Sequence, residues 1–242
     1  MHKPILTRTF AGHIAYVSDK PEDRGRARGH EDVSVSLFSD GTRTMRATCL
    51  IADPPHVVRD VVQSVDANMN ATDCFVRVRT SDQFTGSAWF RWHDGMAESE
   101  NVTAQNGRQS ERMAYPTGPV VFCNHAITGD AWMTTGYPMN KGPGLATIEN
   151  MFSASPHKQG ATGPSLHKLL LGVMYVGPEQ ISVAAGTFAT HHYCLATISS
   201  VDDLLPQNLD YDTWVLTDGS FIPALSMYRG LRRYELTRYA AD

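Results

Sequence analysis

The side chains of this chain that could do chemistry are histidines, tyrosines and arginines set among apolar residues, and they fall in three places. The run Ala189–Thr190–His191–His192–Tyr193 puts two imidazoles and a phenol on one strand of a hairpin. His125 and Asp130 flank Ile127–Thr128–Gly129 in an irregular stretch, and a histidine oriented by an aspartate is a common general base near neutral pH. A structural reading competes: Asp130 caps a following helix and His125 is a surface loop residue. Arg77 and Arg79 share a strand face with Phe75, and Arg91 shares one with Trp89 and His93. If Phe75 and Trp89 face inward, Arg77 and Arg91 enter a cavity and offer forked donors to an anionic oxygen. Otherwise these arginines lie on the solvent face with their stems over the rings.

Parity limits what the two histidines can do together. Neighbours on a strand point to opposite faces, so His191 and His192 cannot ligate one metal. His192 takes the side of Thr190 and Cys194, His191 that of Ala189 and Tyr193, and either side could be a cavity. His30, Glu31 and Asp32 read as an exposed polar cluster at the start of a strand. No metal site and no cofactor are expected.

The elements that must position these groups are mostly strands. Glu31 to Phe38 alternates, with Val33, Val35 and Leu37 on one face, and ends at Asp40–Gly41, a hairpin signal answered by a return strand from Thr42 to Ile51. Asp53–Pro54–Pro55 reads as an N-cap with proline in the first turn. Val57, Val58, Val61, Val62 and Val65 then fall on one helical face, which predicts an amphipathic helix. A meander resumes over 74–80, 84–93, 96–104 and 108–115, with turns at Asp94–Gly95 and Asn106–Gly107. Residues 116–164 lose the period and carry many glycines and prolines together with Trp132, Tyr137, Met139, Met151 and Phe152. That is too much apolar surface for a linker, and the segment reads as a lid or plug with a short helix near 127–135. A helical turn over 165–172 leads to the closing hairpins, where Trp214, Phe221, Tyr228, Tyr234 and Tyr239 add rings. Such rings suit a pocket for a flat ligand and suit a β-core equally.

The bulk properties exclude several classes. The 242 residues are 42% hydrophobic, enough to bury a core without staples, and 1–242 reads as one domain. A formal charge of −4 removes the electrostatic reason to expect nucleic acid, and Arg24–Gly25–Arg26–Ala27–Arg28 reads as a solvated loop. Cys49, Cys74, Cys123 and Cys194 are spread singly, as small buried hydrophobes. With neither an apolar leader near the N-terminus nor a membrane-length apolar stretch, a cytoplasmic setting is expected. Dinucleotide, P-loop, nucleophile-elbow and zincin motifs are all missing.

The closing pattern resembles a bacterial family of uncharacterised lipocalin-like proteins. It comprises Tyr175–Val176–Gly177–Pro178–Glu179, then Ala185–Gly186–Thr187–Phe188, then Asp212–Thr213–Trp214 to Phe221–Ile222–Pro223. The resemblance covers about Tyr175 to Tyr239 and implies a curved antiparallel barrel or half-barrel with a ligand cavity. It transfers no active site. The fold expected is therefore mainly β, a lipocalin-like barrel with one amphipathic helix and a long irregular lid.

The function expected is a cofactor-independent lyase, of dehydratase or retro-aldol and deformylase type, or an isomerase. Its substrate would be a small hydroxylated aromatic or terpenoid-like molecule. His192, Tyr193 or His125 would move the proton, Arg77 and Arg91 would hold the anion, and Trp89, Trp214, Phe75, Asp130 and Tyr234 would line the substrate. A carrier of a small hydrophobic ligand and a structural or assembly β-domain are the alternatives. The partner is a small hydrophobic or aromatic molecule, with no nucleic acid, no membrane and a homodimer admitted.

Overall fold

Strict alternation of apolar and polar side chains dominates the chain, and it produces one very large sheet. The computed structural model describes residues 5–157, 159–198, 200 and 204–242. Its first half runs β1 (Leu6–Ser18), β2 (Ala27–Phe38), β3 (Arg43–Ile51), β4 (Val57–Val65), β5 (Ala71–Thr80), β6 (Gln83–His93), β7 (Met96–Thr103) and β8 (Gly107–Ala114). The second half comprises β9 (Val120–Cys123), α1 (Ile127–Met133), β10 (Gly144–Ser153), β11 (His167–Val183), β12 (Gly186–Ile198), β13 (Tyr211–Leu216), β14 (Pro223–Tyr228) and β15 (Arg232–Ala241).

Among the described residues these form a 15-stranded sheet in the order β8-β7-β6-β5-β4-β3-β2-β1-β15-β14-β13-β12-β11-β10-β9. Two antiparallel meanders are thus joined where the first and last strands pair, with Gly12 opposite Tyr239 and Tyr16 opposite Tyr234. Among the described residues only β9 runs parallel to its neighbour, β10. The sheet is open, with β8 and β9 as its edges, and it is mainly β as expected. No helix among the described residues is long and apolar enough to cross a membrane.

Two sequence expectations give way to strands. The expected helix over 53–65 is β4. Its buried residues, Val57, Arg59, Val61, Gln63 and Val65, recur at every second position, and the β-branched valines that fitted a helical stripe fit a pleated surface better. Asp53 is no N-cap; it accepts from Arg26 Nη1 at 2.8 Å and Arg28 Nε at 2.6 Å. The expected turn over 165–172 is also extended, because β11 begins at His167 and pairs with β10 and β12. The irregular middle supplies β9, α1 and β10, so part of it belongs to the sheet itself.

The short helix near 127–135 is present as α1, and its whole length except Asp130 is buried. It packs on β9, β13 and β14. Trp132 joins an apolar cluster with Phe10, Phe90 and Phe122, while Ala131 and Met133 join another with Tyr175, Tyr193 and Val215. Ala126, its N-cap, makes no side-chain cap. Glu31, fully buried on β2, does that work from across the core. Its carboxylate accepts from Ile127 N at 2.6 Å, Thr128 N at 3.1 Å and Thr128 Oγ1 at 2.6 Å, and also from the Tyr16 hydroxyl at 3.1 Å. The expected exposed cluster at His30, Glu31 and Asp32 is therefore corrected at Glu31, whose parity matches buried Val33 and Val35.

Adjacent valines test the strand assignment, because a helix would bury both. Val61→Asp should lower the unfolding free energy by about 3 kcal/mol or more, an unpaired charge in the core. Val62→Asp, at a residue 36% exposed, should cost about 1 kcal/mol or less. Urea unfolding followed by circular dichroism reads both. In the same assay Glu31→Ala should lose about 3–5 kcal/mol, since it orphans several buried donors at once.

Candidate functional site

The connection from β9 into α1 carries the reactive groups, and its path is set by buried polar side chains. Arg59 on β4 is 1% exposed; its Nη1 donates to the His125 carbonyl at 2.5 Å and its Nη2 to the Gln159 carbonyl at 2.5 Å. Asn124 Nδ2 donates to Gln63 Oε1 at 2.6 Å, and Asn124 Oδ1 accepts from Ala126 N at 2.8 Å. Gly129 lies so close to Asn124 that a Cβ there would sit 2.1 Å from Oδ1. His125 itself has φ +63°, a left-handed conformation costly for a non-glycine residue and held here by these contacts.

This path gathers two titratable groups around one sulfur. Cys123 Sγ is 3.7 Å from His125 Nδ1 and 3.7 Å from Asp130 Oδ1. His125 Nε2 lies 3.2 Å from both the Ser155 carbonyl and Ser153 Oγ. Because that carbonyl can only accept, Nε2 carries the hydrogen and Nδ1 is left as an acceptor facing the thiol. The buried Tyr211 hydroxyl meets Asp130 without a well-formed hydrogen bond.

The group helps to line a cavity of about 480 Å³. Its apolar wall includes Ile51, Met151, Leu169, Leu171 and Leu195, and its polar wall includes Tyr16, Arg28, Tyr234 and Arg232. Arg28, 4% exposed, donates from Nε to Asp53, while its Nη1 is buried and finds no partner. The expected solvated loop at 24–28 is thus corrected at Arg28.

Burial sorts these groups in an order that residue type alone does not suggest. Desolvation, helped by the Glu31 charge, raises the Asp130 carboxyl to about 7. Desolvation and the Arg59 guanidinium lower His125 to about 3, so it is neutral at physiological pH. The Cys123 thiol is pushed well up by burial and then by Asp130, so it stays protonated. Asp130, expected to line the substrate, is the group able both to give and to take a proton near neutral pH. His125, expected to do so, is a fixed neutral neighbour.

The other expected site residues are elsewhere. Phe75 and Trp89, 41% and 45% exposed, lie on the outer face. Arg77 and Arg91 accompany them, with Arg77 over the Phe84 ring and Arg91 4.6 Å from the Trp89 ring centre. The inward orientation expected for these four is corrected: Cys74, Val76, Phe90 and Trp92 take the interior. His192 also lies on the outer face, stacked on Trp214 at 4.1 Å, so neither borders the cavity. His191 faces the other way and meets the Tyr175 hydroxyl at 2.8 Å. Tyr193 packs in the apolar cluster beside Tyr137 and Tyr175. Tyr234 does line the cavity. Sequence reasoning missed Cys123, Arg28 and Tyr211; the Cys123-x-His125 spacing at a strand end was the available signal for the first.

The displaced carboxyl has a consequence for stability. Between the unfolded value, about 3.9, and about 7 in the folded protein, the native state binds a proton that the unfolded chain does not. Asp130 therefore makes the protein less stable as pH rises through that window. Asp130→Asn should leave stability near wild type at pH 4 and exceed it increasingly up to pH 7, with a constant gain above; a melting temperature series across pH checks this.

No protein-family model matches the chain, and no curated protein matches it. Among solved structures it is similar to a beta-barrel-like protein of a domain of unknown function, DUF1849, from Brucella abortus. The identity is 8%, 98% of each chain is covered, and the TM-score is 0.54. It is also similar to a DUF1089 family protein from Pseudomonas aeruginosa, at 10% identity over 86% of this chain and 92% of that one, with a TM-score of 0.45. The first likeness establishes a β-barrel-like fold shared with a bacterial protein of unknown function.

Proposed function

We propose that the protein is a cofactor-independent lyase or isomerase acting on a small hydroxylated molecule held in the 480 Å³ cavity. This is a lipocalin-like use of the inner side of the sheet. The observation that carries the reading is the Asp130 carboxyl, poised at about 7 and opening onto the same cavity as an unpartnered buried arginine nitrogen. A volume of this size suits a ligand of metabolite dimensions, and the leucine and isoleucine wall suits an apolar or aromatic body.

One acid–base residue is enough for either reaction. As a carboxylate, Asp130 removes a proton from the carbon next to a substrate carbonyl, and the resulting oxyanion is stabilised by Arg28 Nη1. As the acid so formed, Asp130 returns that proton. Delivered to a hydroxyl on the next carbon, it breaks the C–O bond and releases water; delivered to a different carbon, it isomerises the substrate. Neither route needs an oxidant or reductant. Arg28 and Asp130 take the parts first assigned to Arg77, Arg91 and His192.

A carrier for a small hydrophobic ligand is the second reading, favoured by the same apolar wall. Incubation with a pool of hydroxylated aromatic and terpenoid-like metabolites, read by mass spectrometry, separates the two. A lyase shows loss of water or of a small aldehyde from one member of the pool, and an isomerase shows a new retention time at unchanged mass. Asp130→Asn should lower turnover at least about a hundredfold, the typical worth of a general acid–base group, while retaining binding. Arg28→Lys should lower it at least about tenfold. Binding with no conversion by the wild type would make the protein a carrier.

A further inference from the structure

The face of the sheet opposite the cavity carries a second constellation. His192 and Cys194 are two residues apart on β12, so their side chains emerge on the same side. Asp212 on β13 stands directly across from Cys194, and Trp214 across from His192. The register therefore brings one nitrogen, one sulfur and one oxygen together. His192 Nε2 is 2.9 Å from Asp212 Oδ1, Cys194 Sγ is 2.9 Å from the same oxygen, and sulfur and nitrogen are 3.9 Å apart.

These separations are close to those of ligands on one tetrahedral ion. Bond lengths near 2.0–2.1 Å to nitrogen, 2.0–2.2 Å to oxygen and 2.3 Å to sulfur put ligand atoms about 3.3–3.6 Å apart. Side-chain adjustments of about 0.3–0.7 Å would convert one triangle into the other. A thiolate and a carboxylate would neutralise a divalent charge, and a histidine–thiolate–carboxylate donor set suits zinc better than magnesium or calcium.

The surroundings of His192 add an independent observation. Its other ring nitrogen, Nδ1, is 3.4 Å from Glu179 Oε2, and that same oxygen accepts from Trp214 Nε1 at 2.7 Å. The Trp214 ring lies against the imidazole with an interplanar angle of 15°. A carboxylate on Nδ1 fixes the tautomer that leaves Nε2 free as a ligand, which is the usual outer partner of a metal-bound histidine. Cys194 is buried, whereas the Asp212 side chain is 41% exposed, so the site is reachable from solvent on one side.

We propose that His192 Nε2, Cys194 Sγ and Asp212 Oδ1 form a three-ligand site for a borderline-soft divalent cation, zinc above all. A fourth position is open to water, and Glu179 orients His192. Binding replaces the thiol proton that now points to Asp212 Oδ1: S–H becomes S–metal and its proton leaves to solvent, as does any proton on Nε2. The site is separate from the cavity and stands independently of the lyase or isomerase reading.

Cobalt(II) titration of the chelator-treated full-length chain tests it, because a cysteine-bound, four-coordinate cobalt ion gives a thiolate charge-transfer band and visible d–d bands. One equivalent should develop both bands, and one equivalent of zinc should abolish them. Cys194→Ser should remove the charge-transfer band, Asp212→Asn should weaken binding, and Glu179→Gln should lower affinity about tenfold or more through His192. Cys123→Ser, on the cavity side, should leave the spectrum unchanged. Circular dichroism confirms that each variant is folded, and the wild-type spectrum stands alone if one is not. No bands from the wild type, or bands that persist in folded Cys194→Ser or vanish in folded Cys123→Ser, would overturn the proposal.

Discussion

The buried carboxylate of Glu31 is the interaction on which the interior depends. Seven residues cannot hold a helix by themselves, since nucleation is costly and few intrahelical bonds repay it. α1 exists because the sheet supplies an apolar bed for Ile127, Trp132 and Met133 and because Glu31 satisfies its first amides. Arg59, equally buried, ties the approach to the helix by the His125 carbonyl and the segment between β10 and β11 by the Gln159 carbonyl. One negative and one positive side chain, from β2 and β4, thus hold the connection that a plain sheet would leave loose.

The same two charges tune what they hold. Glu31 adds to the desolvation that raises Asp130, and Arg59 adds to the desolvation that lowers His125. A histidine near an aspartate suggests by type that the imidazole is the base. Here the environment reverses the assignment, because the guanidinium stands by the histidine and the carboxylate by the aspartate. Scaffold and site electrostatics are therefore one arrangement, and a change at Glu31 or Arg59 would act on both.

Much of the sheet was legible from alternation. The strands at 33–37, 43–51 and 74–103 and the closing hairpins all follow their apolar period and turn residues. β4 was misread because its valines satisfy a helical stripe as well as a pleat, and because Arg59 and Gln63, the residues that break the helical pattern least, are buried for polar reasons that a hydrophobicity pattern does not register. The site was legible only as the pair His125 and Asp130. Arg28 and Glu31 look like surface residues in sequence, since a charged side chain on a strand is exposed unless a partner across the fold accepts it. Those partners, Asp53 and the amides of α1, lie 25 and 96 or more positions away.

Parity divides the second half of the sheet into two chemical surfaces. Around the middle of β12 and β13, Tyr193, Leu195 and Val215 join the interior, while His192, Cys194, Asp212 and Trp214 form the outer cluster. A one-residue slip of register would exchange the two sets and destroy both. The pairing of Tyr211 with Tyr228 and Thr213 with Ser226 on the neighbouring strand, with the Thr213 and Ser226 hydroxyls 2.8 Å apart in the core, fixes that register from the inside. The bulge in β11 between Tyr175 and Gly177 has a matching effect on the other side of β12. It lets Tyr175 pair with Tyr193 on the interior side while Glu179 reaches His192 on the outer side. A single irregularity in an otherwise regular ladder thus serves the interior packing and the orientation of the outer imidazole together.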